Sequence, residues 1–145
     1  MPTASRVHVR VLICLLAATL ACRSDSIAVH SLEAVGRWTL QSYNGSALPA
    51  VALSRGTTTV EVMSGALELG GDGTYRIATS YRMTQGGVAT LSSDNGAGYW
   101  VDRGGQITLA RDGGVLDATA VHANRQITLY APAENGRLLP IVYTR

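Results

Sequence analysis

The stretch from Leu67 to Met83, LELGGDGTYRIATSYRM, decides the fold. After Tyr75 the larger apolar side chains lie on odd positions and the arginines on even ones, a two-residue period that indicates a strand with one buried face. The triplet Gly71-Asp72-Gly73 marks a turn before this strand. If Leu69 pairs with Tyr75, and residue 67 with 77, both strands contribute to one apolar face. The stretch therefore predicts a β-hairpin.

The rest of the chain after Gly36 repeats this organisation. All 16 glycines lie at or after Gly36, and they separate strand-sized segments that show no helical period. Glycine adopts positive φ angles at low cost, so these positions indicate turns. Many short strands joined by frequent turns predict an all-β fold, an antiparallel up-and-down β-barrel of eight to ten strands over residues 36–145.

Two irregularities are predicted within the strand pattern. The apolar residues before Ser64 lie on even positions and those after Gly65 on odd ones, so a β-bulge is expected at Ser64-Gly65. The stretch from Ser46 to Gly56 contains Pro49 and no clear alternation. It is predicted to be an irregular loop that covers one barrel mouth.

The loop lengths of two later hairpins determine which side chains face inward. A three-residue loop at 103–105 keeps Asp102 out of the apolar face, places Tyr99 and Val101 inside, and leaves Trp100 exposed as a contact surface. The orientation of His122 depends on whether the turn at 123–125 has two or three loop residues, and the favoured three-residue turn directs His122 outward.

The amino end predicts export from the cytoplasm. Two arginines precede an apolar segment from Val11 to Ala21, which is typical of a secretory signal peptide over residues 1–21 and is too short to span a membrane. The sequence Thr19-Leu20-Ala21-Cys22 resembles a bacterial lipobox, whose cysteine is lipidated and becomes the new amino terminus. This resemblance implies a lipid anchor at Cys22, and plain cleavage after Ala21 is the alternative.

Residues 22–35 are then a lipid-anchored tether whose apolar spacing allows a short helical turn. The resulting location is the bacterial cell envelope, with the protein attached to a membrane through its anchor on the periplasmic or outer side. Without the anchor the protein would be secreted.

Charge and cysteine content exclude several functional classes. All 12 basic residues are arginines, and removal of the signal peptide leaves ten of them against ten acidic residues. A near-neutral chain offers no electrostatic basis for binding nucleic acid. Cys14 lies in the signal peptide and Cys22 at the anchor, so the barrel has no disulfide and no thiolate ligand.

The segment Gly36-Arg37-Trp38 resembles the opening of the first strand in lipocalins and small bacterial lipocalin-like proteins, where Gly-x-Trp follows a short helical turn. The agreement extends over Trp38 to Gly45, Leu69 to Tyr75, and Gly98-Tyr99. It implies an up-and-down barrel of eight to ten strands with a pocket for an apolar small molecule.

The resemblance further implies that Trp38 closes one barrel end, with Arg145 or Arg137 across its face. Tyrosine hydroxyls that converge in an apolar cup could orient the polar end of a ligand. The alternative is that the inward side chains simply fill the core. The predicted ligand-binding residues of the interior are Trp38, Tyr75, Ile77, Tyr81, Met83, Tyr99, Val101 and Tyr143.

Catalytic motifs have weak support. Gly70 to Thr74 reads GGDGT, a motif of lipid and NAD kinases, but here it joins two strands rather than a strand and a helix. His122 has no cysteine or acidic residue at ligand spacing, which favours an ordinary strand residue over a metal ligand or general base. We therefore predict no catalysis, no metal and no cofactor. Clustered carboxylates, for example Asp102 with Asp117, would reopen the question.

These observations lead to one main interpretation and two alternatives. The main one is a monomeric, extracytoplasmic, lipid-anchored barrel that binds or carries a small hydrophobic molecule. The second is a filled barrel that acts as a protein-binding or protease-inhibitor module through its loops or Trp100. The third is an enzyme of unknown type.

Overall fold

The computed structural model describes residues 31–111, 114, 116–133 and 136–145. The predicted signal peptide, Cys22 and most of the tether lie outside the described residues. The last part of the tether contains a single turn at residues 32–34, in which the Ala34 amide donates a hydrogen bond to the Ser31 carbonyl at 2.9 Å. Across the described ranges, no helix has the length and hydropathy needed to cross a membrane.

Ten antiparallel strands form one continuous sheet: β1 Gly36–Tyr43, β2 Ser46–Ala47, β3 Ala50–Arg55, β4 Thr58–Leu69, β5 Thr74–Gln85, β6 Val88–Arg103, β7 Gln106–Ala110, β8 Leu116–Ala123, β9 Gln126–Pro132 and β10 Leu138–Thr144. Strands β4 to β10 follow one another in order, and β1 pairs with both β10 and β4. These eight strands close into a barrel, and β2 and β3 are two additional strands. The predicted all-β antiparallel barrel is confirmed.

The hairpin of β4 and β5 has the predicted register. Leu69 pairs with Tyr75, and Leu67 pairs with Ile77. Asp72 organises the turn, because its carboxylate accepts hydrogen bonds from the amide of Thr74 at 3.0 Å and from its hydroxyl at 2.7 Å. These bonds, the backbone one first, hold the pKa of the Asp72 carboxyl below its ordinary value. The GGDGT sequence therefore forms a hairpin turn in this chain.

The barrel core consists of side chains that alternate along each strand with more exposed ones. In β9, for example, Ile127 and Leu129 are buried, whereas Gln126 is exposed and Thr128 half-buried. Removing such apolar surface from water contributes about 25 cal/mol per Å² to folding. The largest buried members of the core are Trp38, Trp100, Tyr75, Tyr143, Leu67, Leu69, Ile107, Leu109, Ile127 and Val62.

A β-bulge in β4 allows both halves of the strand to contribute to this core. The register with β5 shifts between Val62 and Ser64, so the extra residue is Met63. As a result Val62 and Leu67, which have opposite parity, are both fully buried. The predicted bulge is confirmed, one residue earlier than Ser64-Gly65.

The prediction of an irregular loop from Ser46 to Gly56 is wrong. This stretch forms β2 and β3, and Ala50 of β3 pairs with Val62 and is buried. The register between β3 and β4 shifts between Val51 and Leu53. That irregularity interrupts the two-residue period, which is why the strand could not be recognised from alternation.

The predicted orientation around Trp100 is also wrong. The turn contains only Gly104 and Gly105, so Trp100 is 1% exposed, Tyr99 is 59% exposed, and Val101 is half-buried on the outer face. Asp102 is 6% exposed, and its carboxylate accepts a hydrogen bond from the Gly105 amide at 2.7 Å, which offsets part of the cost of its burial. An amide of the turn thus binds the carboxylate that was predicted to face solvent.

The same error applies to His122. Asn124 and Arg125 both have positive φ angles, 53° and 60°, and form a two-residue turn. His122 consequently pairs with Ile127 and faces the inner side, whereas Val121 is 45% exposed. The prediction that His122 points outward is wrong.

Strands β3 to β6 continue past their barrel neighbours. Strand β6 pairs with β7 only from Tyr99 to Arg103, and its earlier residues pair with β5 alone. Met83 lies in this extension, where it pairs with Val60 and Thr90 and is 39% exposed. It is therefore outside the enclosed interior, contrary to the prediction.

Candidate functional site

Trp38 and Arg145 close one end of the barrel. The Trp38 ring is fully buried, and its indole N–H donates a hydrogen bond to the Ala34 carbonyl at 2.8 Å, which fixes the turn at 32–34 against the barrel. The guanidinium carbon of Arg145 lies 4.2 Å from the ring centroid, and Arg145 also donates a hydrogen bond to the Val35 carbonyl. Of the two arginines considered from sequence, Arg145 occupies the position across the indole.

Two further residues complete this closed end. The His122 ring packs edge-on against Trp38, with centroids 5.4 Å apart and an interplanar angle of 74°. Gly36 has a φ of 130°, and a Cβ at this position would lie 2.9 Å from the Arg145 Nη2 atom. Glycine at position 36 therefore leaves the space that the guanidinium occupies.

A cavity of about 190 Å³ lies inside the barrel, further along β1 from Trp38. Apolar side chains that include Leu40, Leu109 and Leu129 form part of its wall. Asp94 and Arg111 also line it and are exposed, so the cavity reaches solvent at their side. An engineered cavity of about 150 Å³ can hold benzene, whereas pockets for drug-sized ligands measure about 300–1,000 Å³. The volume suits a small molecule.

Four tyrosines belong to the wall of the cavity. Tyr43, Tyr81 and Tyr143 line it together with Tyr75. Burial raises the pKa of Tyr143, and the neighbouring Tyr81 raises it further. Burial likewise raises the pKa of Tyr81, although a hydrogen bond with the Thr79 side chain acts in the opposite direction. At neutral pH the phenols of Tyr81 and Tyr143 are therefore uncharged and can donate hydrogen bonds.

The Tyr143 hydroxyl differs from an ordinary buried phenol. Tyr143 is 1% exposed, and within the described part of the chain its hydroxyl forms no hydrogen bond with another protein group. Buried hydroxyls usually have a partner, since an unsatisfied one loses its hydrogen bonds to water without replacement. The cavity is thus lined by a donor that the described protein leaves unsatisfied.

The structure brings together five of the eight predicted interior residues. Trp38 closes the barrel end, and Tyr75, Ile77, Tyr81 and Tyr143 line the cavity. The remaining three residues do not face the barrel interior. Met83 lies in the extension, and Tyr99 and Val101 are on the outer face.

Sequence reasoning missed several residues of the cavity wall, among them Tyr43, Thr79 and Asp94. Tyr43 was hidden by a register shift in β1 between Leu40 and Ser42, which changes the parity of the inward positions. Thr79 continues the odd positions of β5, and Asp94 pairs with it on β6. Extending the alternation of β5 across its partner strand would have found these two.

The structure offers little support for other kinds of site. Within the described residues, no group of three or more His, Cys, Asp or Glu side chains is placed to hold a metal ion. The Asp102 carboxylate is engaged by its own turn, and the side chain of Asp117 is outside the described part of the chain. Whether Asp102 and Asp117 form a carboxylate cluster is therefore not tested.

No protein-family model, curated protein or solved structure matches this chain. The resemblance to lipocalins therefore stays a prediction from the sequence motif. The chemistry of the cavity has to be interpreted from its own residues.

Proposed function

We propose that this chain is a non-catalytic binding protein that holds a small, largely apolar molecule inside its barrel. The observation that carries the proposal is the cavity of about 190 Å³, which is walled by apolar side chains and a few phenols. The cavity reaches solvent beside Asp94 and Arg111, so a small molecule can enter it. Ligand pockets are typically concave and mostly apolar with a few polar groups, which is the composition of this wall.

The competing proposal, a filled barrel that binds another protein, loses its main residue. Trp100 was expected to form an exposed contact, but its ring is buried and its indole N–H donates to the Gly70 carbonyl at 2.9 Å. The tryptophan is thus part of the barrel core, and the carrier function has the more specific structural support.

The proposal includes a lipocalin-like ancestry and a lipid anchor at Cys22 in the bacterial cell envelope. The support is the Gly-x-Trp opening at Gly36, the arginine across Trp38, and the lipobox-like sequence that ends at Cys22. Ser31 is the ninth residue after Cys22. At about 3.3 Å per residue an anchored tether would span at most about 30 Å, and on this proposal the closed end of the barrel would be the end nearer the membrane.

The anchor can be tested in a bacterial host that processes lipoproteins. We expect the wild-type chain in the membrane fraction with a diacylated Cys22 by mass spectrometry, and Cys22→Ala in the soluble extracytoplasmic fraction. Equal fractionation of the two chains, with no lipid adduct on the wild type, would refute the anchor and leave the cavity proposal intact.

Ligand binding can be tested by filling the cavity. Ala118 lines it, and Ala118→Leu would occupy part of its volume, whereas Ala97→Leu adds the same atoms on the exposed face of β6. Native mass spectrometry of purified protein, with lipid extracts and single-ring compounds added, should show a bound species for the wild type and Ala97→Leu. Ala118→Leu should show little or none. Binding that survives Ala118→Leu would contradict the proposal.

A further inference from the structure

We infer that the ligand is an uncharged molecule of about one six-membered ring with a small substituent, and that a polar acceptor atom of this molecule receives a hydrogen bond from the Tyr143 hydroxyl. This inference rests on the proposed function and specifies its ligand. It follows from three properties of the cavity: its volume, the unsatisfied donor in its wall, and the charges at its rim.

The volume limits the size of the ligand. About 190 Å³ exceeds the roughly 150 Å³ that accommodates benzene, but it lies below the range of about 300–1,000 Å³ found for drug-sized ligands. One ring with two or three further heavy atoms fits between these limits. A long acyl chain would have to leave most of its length outside the barrel.

Tyr143 specifies the polar contact. Its side chain is almost completely buried and lines the cavity, and no described protein group accepts a hydrogen bond from its hydroxyl. Because burial raises its pKa, this phenol remains a donor at neutral pH. A carbonyl, ether or ring nitrogen on the ligand would satisfy it, and a pure hydrocarbon would leave it unsatisfied.

The charges favour an uncharged ligand. Asp94 and Arg111, which line the cavity at its exposed side, carry opposite charges, so the rim as a whole attracts neither sign. The other polar side chains of the wall are the phenols and the Thr79 hydroxyl, and none of these neutralises a carboxylate or an ammonium. A charged ligand would lose its hydration without a compensating ion pair.

Two isosteric probes test the inference. Acetophenone and α-methylstyrene have the same number of heavy atoms, but only acetophenone carries a strong acceptor. By calorimetric or NMR titration of the mature chain, we expect acetophenone to bind about tenfold more tightly, a ratio that corresponds to about 1.4 kcal/mol. Benzoate and palmitate, added as the charged and long-chain probes, should bind weakly or not at all.

The variant Tyr143→Phe identifies the donor. It should weaken acetophenone binding about tenfold and leave α-methylstyrene binding unchanged or tighter, so that the two probes become equal. Its thermal stability should not fall, because the Tyr143 hydroxyl donates no hydrogen bond to any of the described residues. Tyr99→Phe, at an exposed phenol outside the cavity, is the matched control and should retain the preference of the wild type.

The outcomes separate the two proposals. Equal affinities for the two isosteres in the wild type, or a preference that survives Tyr143→Phe, would overturn the assignment of the donor. Tight binding of palmitate without binding of either ring would overturn the size limit and still support a carrier. If none of the four probes binds and no species copurifies, both the inference and the proposed function fail.

Discussion

The Arg145→Ala variant is expected to loosen the closed end of the barrel. The substitution removes the guanidinium that lies 4.2 Å from the Trp38 ring centroid, together with its hydrogen bond to the Val35 carbonyl. A cation–π contact at a partly exposed site contributes about 0.5–1 kcal/mol, and a typical hydrogen bond about 1 kcal/mol. We therefore expect the free energy of unfolding in urea to fall by about 2 kcal/mol.

A substitution at Gly36 tests whether the contacts of the Arg145 guanidinium cause this loss of stability. In Gly36→Ala the new Cβ would approach the Arg145 Nη2 atom to 2.9 Å, in a backbone conformation with a φ of 130° that alanine rarely adopts. Part of its cost therefore arises from displacing the arginine. In a double-mutant cycle, Gly36→Ala should destabilise an Arg145→Ala background less than it destabilises the wild type.

The control is Arg103→Ala, which removes an exposed arginine at the end of β6 and should change the free energy of unfolding by less than about 0.5 kcal/mol. Tryptophan fluorescence would follow the wild type and the four variants through the urea transition. If Arg145→Ala resembles Arg103→Ala, or if the two effects at positions 36 and 145 are strictly additive, the stacking does not stabilise the barrel as reasoned.

Three further predictions concern single side chains. Asp102→Ala, which removes the buried acceptor of the β6–β7 turn, should reduce the free energy of unfolding by about 1–3 kcal/mol, and Asp102→Asn should restore part of it. The hydrogen bond from Arg82 lowers the pKa of Glu61. The ionised carboxylate therefore stabilises the fold above its ordinary pKa of 4.5, and this stabilisation is lost as pH falls through the lowered pKa. In Glu61→Gln the free energy of unfolding should depend less on pH in the acid range. Burial raises the pKa of Tyr143, so the stability that depends on its neutral phenol is fully present below the ordinary pKa of 10.0 and is lost at higher pH. The free energy of unfolding of Tyr143→Phe should therefore depend less on pH above 10 than that of the wild type.

The parts of the fold that could be predicted are those in which alternation and turn chemistry agree. In the hairpin that joins Leu69 to Tyr75, both strands place their apolar residues on odd positions and the glycine turn has a suitable length, so one register satisfies every side chain. The bulge near Met63 was found for the same reason, because a change of parity within one strand requires an extra residue.

The errors arose where a polar side chain is satisfied locally. Asp102 was assigned to the outside because a charge is costly in a core, and His122 because a three-residue turn was assumed at 123–125. In the structure the carboxylate caps its own turn, and the histidine ring packs on Trp38. The neighbour that stabilises each of these side chains can be identified only when the turn length is known. An error of one residue in the β6–β7 turn placed Tyr99 in the core instead of Trp100.

The presence of tyrosines in the interior could be predicted from the sequence, but the size of the cavity could not. Alternation identified Tyr81 and Tyr143 as inward tyrosines, yet whether such side chains meet or leave space depends on how the strands tilt and stagger as the barrel closes. That geometry is a property of the whole sheet. The register shift that brings Tyr43 to the wall shows how one local irregularity changes the lining.

The position of β1 between β10 and β4 has a consequence for assembly. The pairing of Leu40 with Tyr143 joins segments from the two ends of the domain, so the ring of hydrogen bonds is completed only when distant parts of the chain meet. Closing so large a loop costs entropy that is recovered only once the whole core has formed. The barrel should therefore fold slowly and as one cooperative unit, and half of it has no independent stability. A molecule inside such a ring cannot leave by the fraying of a single strand, so its residence time depends on the width of the mouth or on rare unfolding of the entire domain.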